Sequence, residues 1–134
     1  MKYMLDTNVC ILAVKKNIKI LTHMKEHLDD GLFISAITLS ELEHGVFHSD
    51  IAYQDKNRIA LINFLSIIDI LDFGCGAAQE YGKLRADLQR RKCLIGNMDM
   101  LIAGHAKAMN MVLVTNNTDE FKRVYGLTIE DWLL

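Results

Sequence analysis

Four short segments of this 134-residue chain set carboxylates where they can do chemistry. Leu5-Asp6-Thr7-Asn8 closes the first apolar run, and Thr38-Leu39-Ser40-Glu41 follows the second. Gly96-Asn97-Met98-Asp99 opens an apolar helical stretch, and Thr115-Asn116-Asn117-Thr118-Asp119-Glu120 follows the fourth run. Each acid also has a plain structural use. Asp6 suits an Asx turn, and Thr38 with Glu41 has the spacing of a capping box. Asp99 complements a helix dipole, and Thr118 reads as an N-cap with Asp119 and Glu120 in the first turn. Singly, none of them demands a catalyst. Jointly, they follow the first, second and fourth strands and open a helix aimed at the same edge. Two carboxylates about 4 Å apart repel by roughly 4 kcal/mol at an effective dielectric of about 20, so a cluster of them calls for a compensating cation. Oxygen-only donors favour Mg2+ or Mn2+.

The elements that must position these acids are readable as apolar runs. Tyr3–Leu5, Leu32–Ser35, Ile67–Leu71 and Met111–Thr115 read as strands, with Leu127–Ile129 a weaker fifth. Helical patterns occupy Val9–Lys15, Ile18–His27, Leu39–His48, Ala52–Ser66, Ala77–Arg90, Met100–Met109 and a short stretch around Glu120–Tyr125. Strands apolar on both faces and separated by helices predict an α/β fold with a covered parallel sheet. Such sheets bind ligands at the carboxyl ends of their strands, where the acids fall. With no proline in the chain, Gly31, Gly45, Gly74, Gly76, Gly96 and Gly126 are expected to end the helices.

Length and composition predict a single domain over residues 1–134. Fifteen Lys and Arg against seventeen Asp and Glu exclude a strong positive field, so any nucleic-acid contact must be local. Cys10, Cys75 and Cys93 form neither a CxxC pair nor an even disulfide framework; they are expected to be buried, reduced thiols. Asp6 and Asn8 interrupt the first apolar stretch, which excludes a signal peptide, and Leu61–Leu71 is far below membrane-spanning length. A soluble, cytoplasmic protein is expected.

The same residues carry a family resemblance. Met4-Leu5-Asp6-Thr7-Asn8, Ile34-Ser35-Ala36-Ile37-Thr38 through Glu41-Leu42 to Gly45, Ile95-Gly96 through Asp99 to Ala106, and Val114-Thr115-Asn116-Asn117 through Glu120-Phe121 to Val124 resemble the VapC toxins of the PIN family. The likeness reaches the ending Glu130-Asp131-Trp132. It implies a PIN-like three-layer α/β/α fold with a central five-stranded parallel sheet. It also implies a metal-dependent endoribonuclease using Mg2+ or Mn2+, with Asp6, Glu41 and Asp99 as the acids and Asp6 and Asp99 as metal ligands. Asn8 and Thr115 would orient water and neighbouring carboxylates. Many PIN domains carry Asp where Asn117 stands, so the fourth acid is lost or comes from Asp119 or Glu120; Glu120 is favoured. The expected substrate is structured RNA, tRNA in particular, with the initiator tRNA anticodon stem-loop as the specific guess. The expected partners are a VapB-type antitoxin and a second toxin copy in a homodimer.

RNA beside an acidic site needs positive charge. Lys83, Arg85, Arg90, Arg91 and Lys92, leading into the loop before Asp99, are the expected contacts, with Lys15, Lys16 and Lys19 a weaker patch. Ile11 and Leu12 could receive an antitoxin helix or simply pack in the core. Three other readings compete. His23 with His27, and His44 with His48, have i,i+4 spacing suited to zinc but lack the HExxH pattern. A phosphoaspartyl enzyme would also gather acids and magnesium at strand ends, but Asp6-Thr7-Asn8 lacks the second Asp of a DxD phosphatase motif. A noncatalytic RNA-binding or interaction module is the remaining alternative, separable by metal-dependent RNA cleavage.

Overall fold

The computed structural model describes residues 1–134. Five strands, β1 (Tyr3–Leu5), β2 (Leu32–Ser35), β3 (Asp69–Leu71), β4 (Val112–Val114) and β5 (Ile129–Glu130), make one sheet in the order β3-β2-β1-β4-β5, with every neighbouring pair parallel. Seven helices connect them. They are α1 (Thr7–Val14), α2 (Ile18–Glu26), α3 (Ala36–His48), α4 (Ile51–Leu65), α5 (Cys75–Arg90), α6 (Asn97–Ala108) and α7 (Thr118–Phe121).

Side-chain alternation along the strands divides the core into two layers. Tyr3, Leu5, Leu32, Ile34, Val112 and Val114 pack with Val9, Ile20, Leu42 and Phe64 of α1 to α4. Met4 and Leu113 point the other way, onto Leu84, Leu88, Met100 and Ile102 of α5 and α6. The result is the expected three-layer arrangement. From β1 the chain builds outward to β2 and β3, then returns to place β4 and β5 on the opposite side of β1. The crevice between β1 and β4 is therefore the topological switch point, where such sheets accept ligands.

Several boundaries differ from expectation for physical reasons. Helix α3 starts at Ala36, capped by the Ser35 hydroxyl, which accepts from the Ile37 N–H at 3.0 Å. Thr38 lies buried inside that helix, so no Thr38–Glu41 capping box forms and Glu41 is released from a capping duty. Helix α7 is preceded by Asn117 rather than capped by Thr118. Helix termination mostly bypasses glycine: Lys16, Lys92 and Asn110 adopt φ of 63°, 57° and 53° just beyond α1, α5 and α6. Gly45 and Gly76 lie inside helices, Gly74 and Gly96 precede them, and only Gly31 and Gly126 have positive φ. Of the cysteines, Cys10 alone is buried; Cys75, the first residue of α5, is exposed, and Cys93, in the loop after that helix, is half-buried.

Helices α5 and α6 approach most closely at Gly104. A Cβ there would stand 2.8 Å from the Tyr81 backbone nitrogen and 2.9 Å from its Cα, a contact that only backbone movement can relieve. This pairing sets the axis of α6 and with it the position of Asp99. Alanine normally stabilises a helix interior by about 0.8–1 kcal/mol over glycine. Gly104→Ala should instead destabilise the fold by about 1–3 kcal/mol through overpacking. Gly82→Ala, in open space on α5, should stabilise it. Urea unfolding of both variants checks the contrast; equal stabilisation would refute the close approach.

Candidate active site

Asp6 follows β1 directly, and its backbone N–H still donates to the Val114 carbonyl at 3.0 Å. That ladder bond holds it against the end of β4, beside Thr115. One carboxylate oxygen, Oδ1, accepts from the Val9 N–H at 2.9 Å, so Asp6 caps α1. The Thr115 hydroxyl lies beside the same carboxylate, favouring its charged form, and accepts from the Asn117 N–H at 2.9 Å. Asp6 is 3% exposed, and burial pushes its pKa up despite these two contacts.

Glu41 enters from the second turn of α3. Its Oε1 accepts from the Thr7 hydroxyl at 2.5 Å, and Thr7 also lies 3.3 Å from the buried Thr38 hydroxyl. Asp99 sits in the first turn of α6, and Glu120 reaches in from α7 with its Oε2 accepting from Asn117 Nδ2 at 2.8 Å. The Asp99 carboxyl is pushed up to about 6, first by burial and then by the charges of Glu120, Asp6 and Glu41 and a hydrogen bond to Glu120. The other three acids thus act on this one group. Asp119, the competing fourth acid, is exposed and paired with Lys122 at 3.2 Å.

Asp6, Glu41 and Asp99 open onto a cleft of about 410 Å³, with Asn8 and Thr7 on its wall. Neither Lys nor Arg lines it, and none of the four acids has an ion-pair partner. Oxygen-only donors whose charges drive one of their number toward protonation fit a hard divalent cation.

The predicted basic residues are not equivalent. Arg85 donates to the Tyr81 hydroxyl at 2.7 Å, and that hydroxyl donates to Asn97 Oδ1 at 3.0 Å, which ties Arg85 to the start of α6, two residues before Asp99. Arg90 and Lys92 are exposed without ion-pair partners. Lys83 lies 3.6 Å from Glu80 and lines a separate depression with Lys107 and Tyr125. Arg91 is a brace: it bonds Asp87 and the Arg123 carbonyl and stacks 4.0 Å over Tyr125. Its guanidinium is not free as the charge run suggested.

Three residues were missed as site members. Thr7 orients Glu41, His44 lines the cleft one turn beyond it, and Asp131 adds negative charge at Asp6. His44 was read only as half of a zinc pair with His48; their rings stack at 5.3 Å instead. Thr7, within the strand-end Asp-Thr-Asn, was the one with a usable signal. His105 is buried and hydrogen-bonded to Ser35 at 2.8 Å, a core contact between α6 and β2. Met100 and Met111 are core residues, whereas Met98 and Met109 are 45% exposed.

Comparison with known proteins bears on this geometry. The PIN domain family matches residues 3–127. The chain is 41% identical over 133 residues to the tRNA(fMet)-specific endonuclease VapC of Shigella flexneri, covering 98% of each. It is 42% identical to the ribonuclease VapC2 of Rickettsia felis, again over 98% of each. Among solved structures, it is similar to a chain of Rickettsia felis VapBC2 bound to a promoter DNA fragment, with a TM-score of 0.93, 40% identity and coverage of 98% and 99%. DNA-bound VapBC of Salmonella typhimurium aligns at a TM-score of 0.92 and 39% identity, over 98% of each chain.

The raised Asp99 pKa has a definite sign for stability. The neutral carboxyl is favoured in the folded chain, so its contribution is fully present below the ordinary value of 3.8 and is lost as pH rises through about 6. In EDTA, the melting temperature of the unmodified chain should fall across that window relative to Asp99→Asn. Added Mg2+ should recover the loss at the upper end. Thermal melts at matched ionic strength check this, and parallel pH profiles for the two proteins would contradict it.

Proposed function

Given that the chain belongs to the PIN-domain family, in company with VapC ribonucleases, we propose that it is the toxin of a type II toxin–antitoxin pair, a divalent-metal-dependent endoribonuclease that hydrolyses structured RNA. The observation that carries this reading is that Asp6, Glu41 and Asp99 open onto one cleft lined by no basic side chain, with Glu120 close enough to Asp99 to raise its pKa. The substrate class is tRNA, with the initiator tRNA anticodon stem-loop as the specific candidate, since the Shigella relative is named for tRNA(fMet).

Asp6 and Asp99 would hold Mg2+ or Mn2+. When bound, the ion offsets charge on the phosphodiester and lowers the pKa of a water. Glu41 has one oxygen committed to Thr7, which fixes its plane and leaves the other to take a proton from the attacking water. Thr115 keeps Asp6 oriented through the hydroxyl it shares with Asn117. Asn117 also holds Glu120 beside Asp99, so the amide at this position supports the fourth acid instead of replacing it. Asn8, exposed at the cleft wall, is suited to bind water or a phosphate oxygen. Arg85, linked through Tyr81 to the start of α6, with Arg90 and Lys92 further along α5 and just beyond it, would contact the RNA backbone.

The proposed partner is a VapB-type antitoxin. An apolar groove of about 370 Å³ between α1, α3 and α4 is lined by Ile11, Val14, Leu42, Val46 and Leu61, and it shares Ile11 and Glu41 with the acid cleft. A partner helix lying there could direct an Arg or Lys onto the carboxylates and exclude a phosphate. Ile11, 37% exposed, is the apolar residue common to both surfaces; Leu12 packs against the core. A homodimer within the complex and a cytoplasmic location complete the proposal. No helix of the chain is long and apolar enough to cross a membrane.

Incubation of purified protein with tRNA should give discrete 5′ ends in Mg2+ or Mn2+ and none in EDTA. Glu41→Gln should slow cleavage by about 10²–10⁴-fold. Thr115→Val should cost about 10–100-fold, partly recovered at high metal concentration. Metal-independent cutting, or cutting unchanged by Glu41→Gln, would refute the reading; binding without products would favour a noncatalytic module.

A further inference from the structure

A second set of ligating side chains converges outside the acid cleft, on α2. His23, Glu26 and His27 occupy positions i, i+3 and i+4, hence one helix face. One ligand atom from each lies within 4.8 Å of the others. His27 packs on Tyr3 at the start of β1, whereas Asp6 follows the strand's other end, roughly 10 Å further along.

We propose that His23, Glu26 and His27 form a second metal site, for a borderline divalent ion such as zinc or nickel. Two imidazoles and one carboxylate select that class of ion, whereas the oxygen-only acids of the cleft select magnesium or manganese. Asp30 strengthens the assignment. Its carboxylate lies 2.8 Å from His27 Nδ1, the outer-shell contact that fixes the tautomer of a ligating histidine and leaves Nε2 with its lone pair free. Trp132 supplies the wall. Its indole stacks on His23 at 5.2 Å and 12°, and on His27 at 5.3 Å and 13°. An imidazole coordinates in its ring plane, so an indole covering the ring faces holds both histidines in place without blocking their lone pairs.

An ion at about 2.1 Å from each donor brings the donors to about 3.4 Å apart, a closure that small rotamer changes supply. Glu26, with its side chain 60% exposed, has the freedom to make most of that movement. The filled site would cross-link successive turns of α2 beneath Trp132 and fasten the C-terminal segment to that helix.

Trp132 is the sole tryptophan, so the site carries its own reporter. The full-length, untagged chain is titrated with NiCl2 in excess Mg2+, following Trp132 fluorescence, with far-UV circular dichroism to verify folding. The expected result is saturable quenching at one equivalent, reversed by EDTA. The apparent affinity should weaken at least tenfold in His23→Gln and in the exposed Glu26→Gln, and less in Asp30→Asn. Zinc, which does not quench, should compete the nickel signal away. Absence of saturable quenching, or unchanged curves in folded His23→Gln and Glu26→Gln, would overturn the site. Loss of quenching in Asp6→Asn with retention in the α2 variants would assign nickel to the acid cleft and likewise overturn it.

Discussion

The structure depends on holding like charges together against their own repulsion. Four carboxylates share one end of the sheet with no Lys or Arg among them, and the Asp99 carboxyl is pushed up to about 6 as a result. Such a cluster persists only because the groups carrying it are fixed by forces larger than their mutual repulsion. Asp6 is anchored by a backbone ladder bond to β4 and by capping α1, Glu41 by Thr7, Glu120 by Asn117, and Asp99 by the close packing of α6 on α5. The folding free energy comes from the two hydrophobic layers, and the site borrows rigidity from them. A cation would then meet charges already gathered, without the entropic cost of collecting flexible acids around it.

The parallel topology explains why these sequence-distant residues can meet. Because β1 lies centrally and the connections reverse direction about it, residues following β1 and β4 abut one crevice. The helices that follow β2 and precede β4 add Glu41 and Asp99 from opposite layers. The cleft is thus built from both faces of the sheet, and displacement of either helical layer would separate its acids. Gly104 shows how narrow the tolerance is, since no side chain fits between α5 and α6 at that point.

Much of this was legible in the sequence because burial on both faces leaves uninterrupted apolar strands. Tyr3–Leu5 and Leu32–Ser35 begin and end where the apolar runs do. The edge strands were less legible. β3 starts two residues later than its run because Ile67 and Ile68 belong to the turn after α4, and β5 is a two-residue strand set by pairing with Leu113 and Val114. Asp6, Glu41 and Asp99 were visible as acids at strand and helix ends. The choice of Glu120 over Asp119 was not derivable from spacing, since both open the same short helix and only their side-chain partners tell them apart. Charge runs misled for a related reason. Lys83, Arg85 and Arg91 read as one patch, yet helical rotation sends them to a separate depression, to the Tyr81 hydroxyl and to a brace on Asp87 and Arg123.

The capping role weighed for Asp6 turns out to be compatible with a place in the site. A carboxylate has two oxygens, and at Asp6 one of them satisfies the Val9 N–H of α1. That bond fixes the carboxylate plane and leaves the group able to offer a lone pair to the cleft. Glu41 does likewise, with a threonine hydroxyl in place of a backbone donor. Donors that hold a carboxylate also favour its charged form, opposing the burial that pushes Asp6 up. Structural and chemical roles therefore reinforce each other here: the hydrogen bond that would account for the acid in an inert protein is what keeps it aimed and ionisable in a catalytic one.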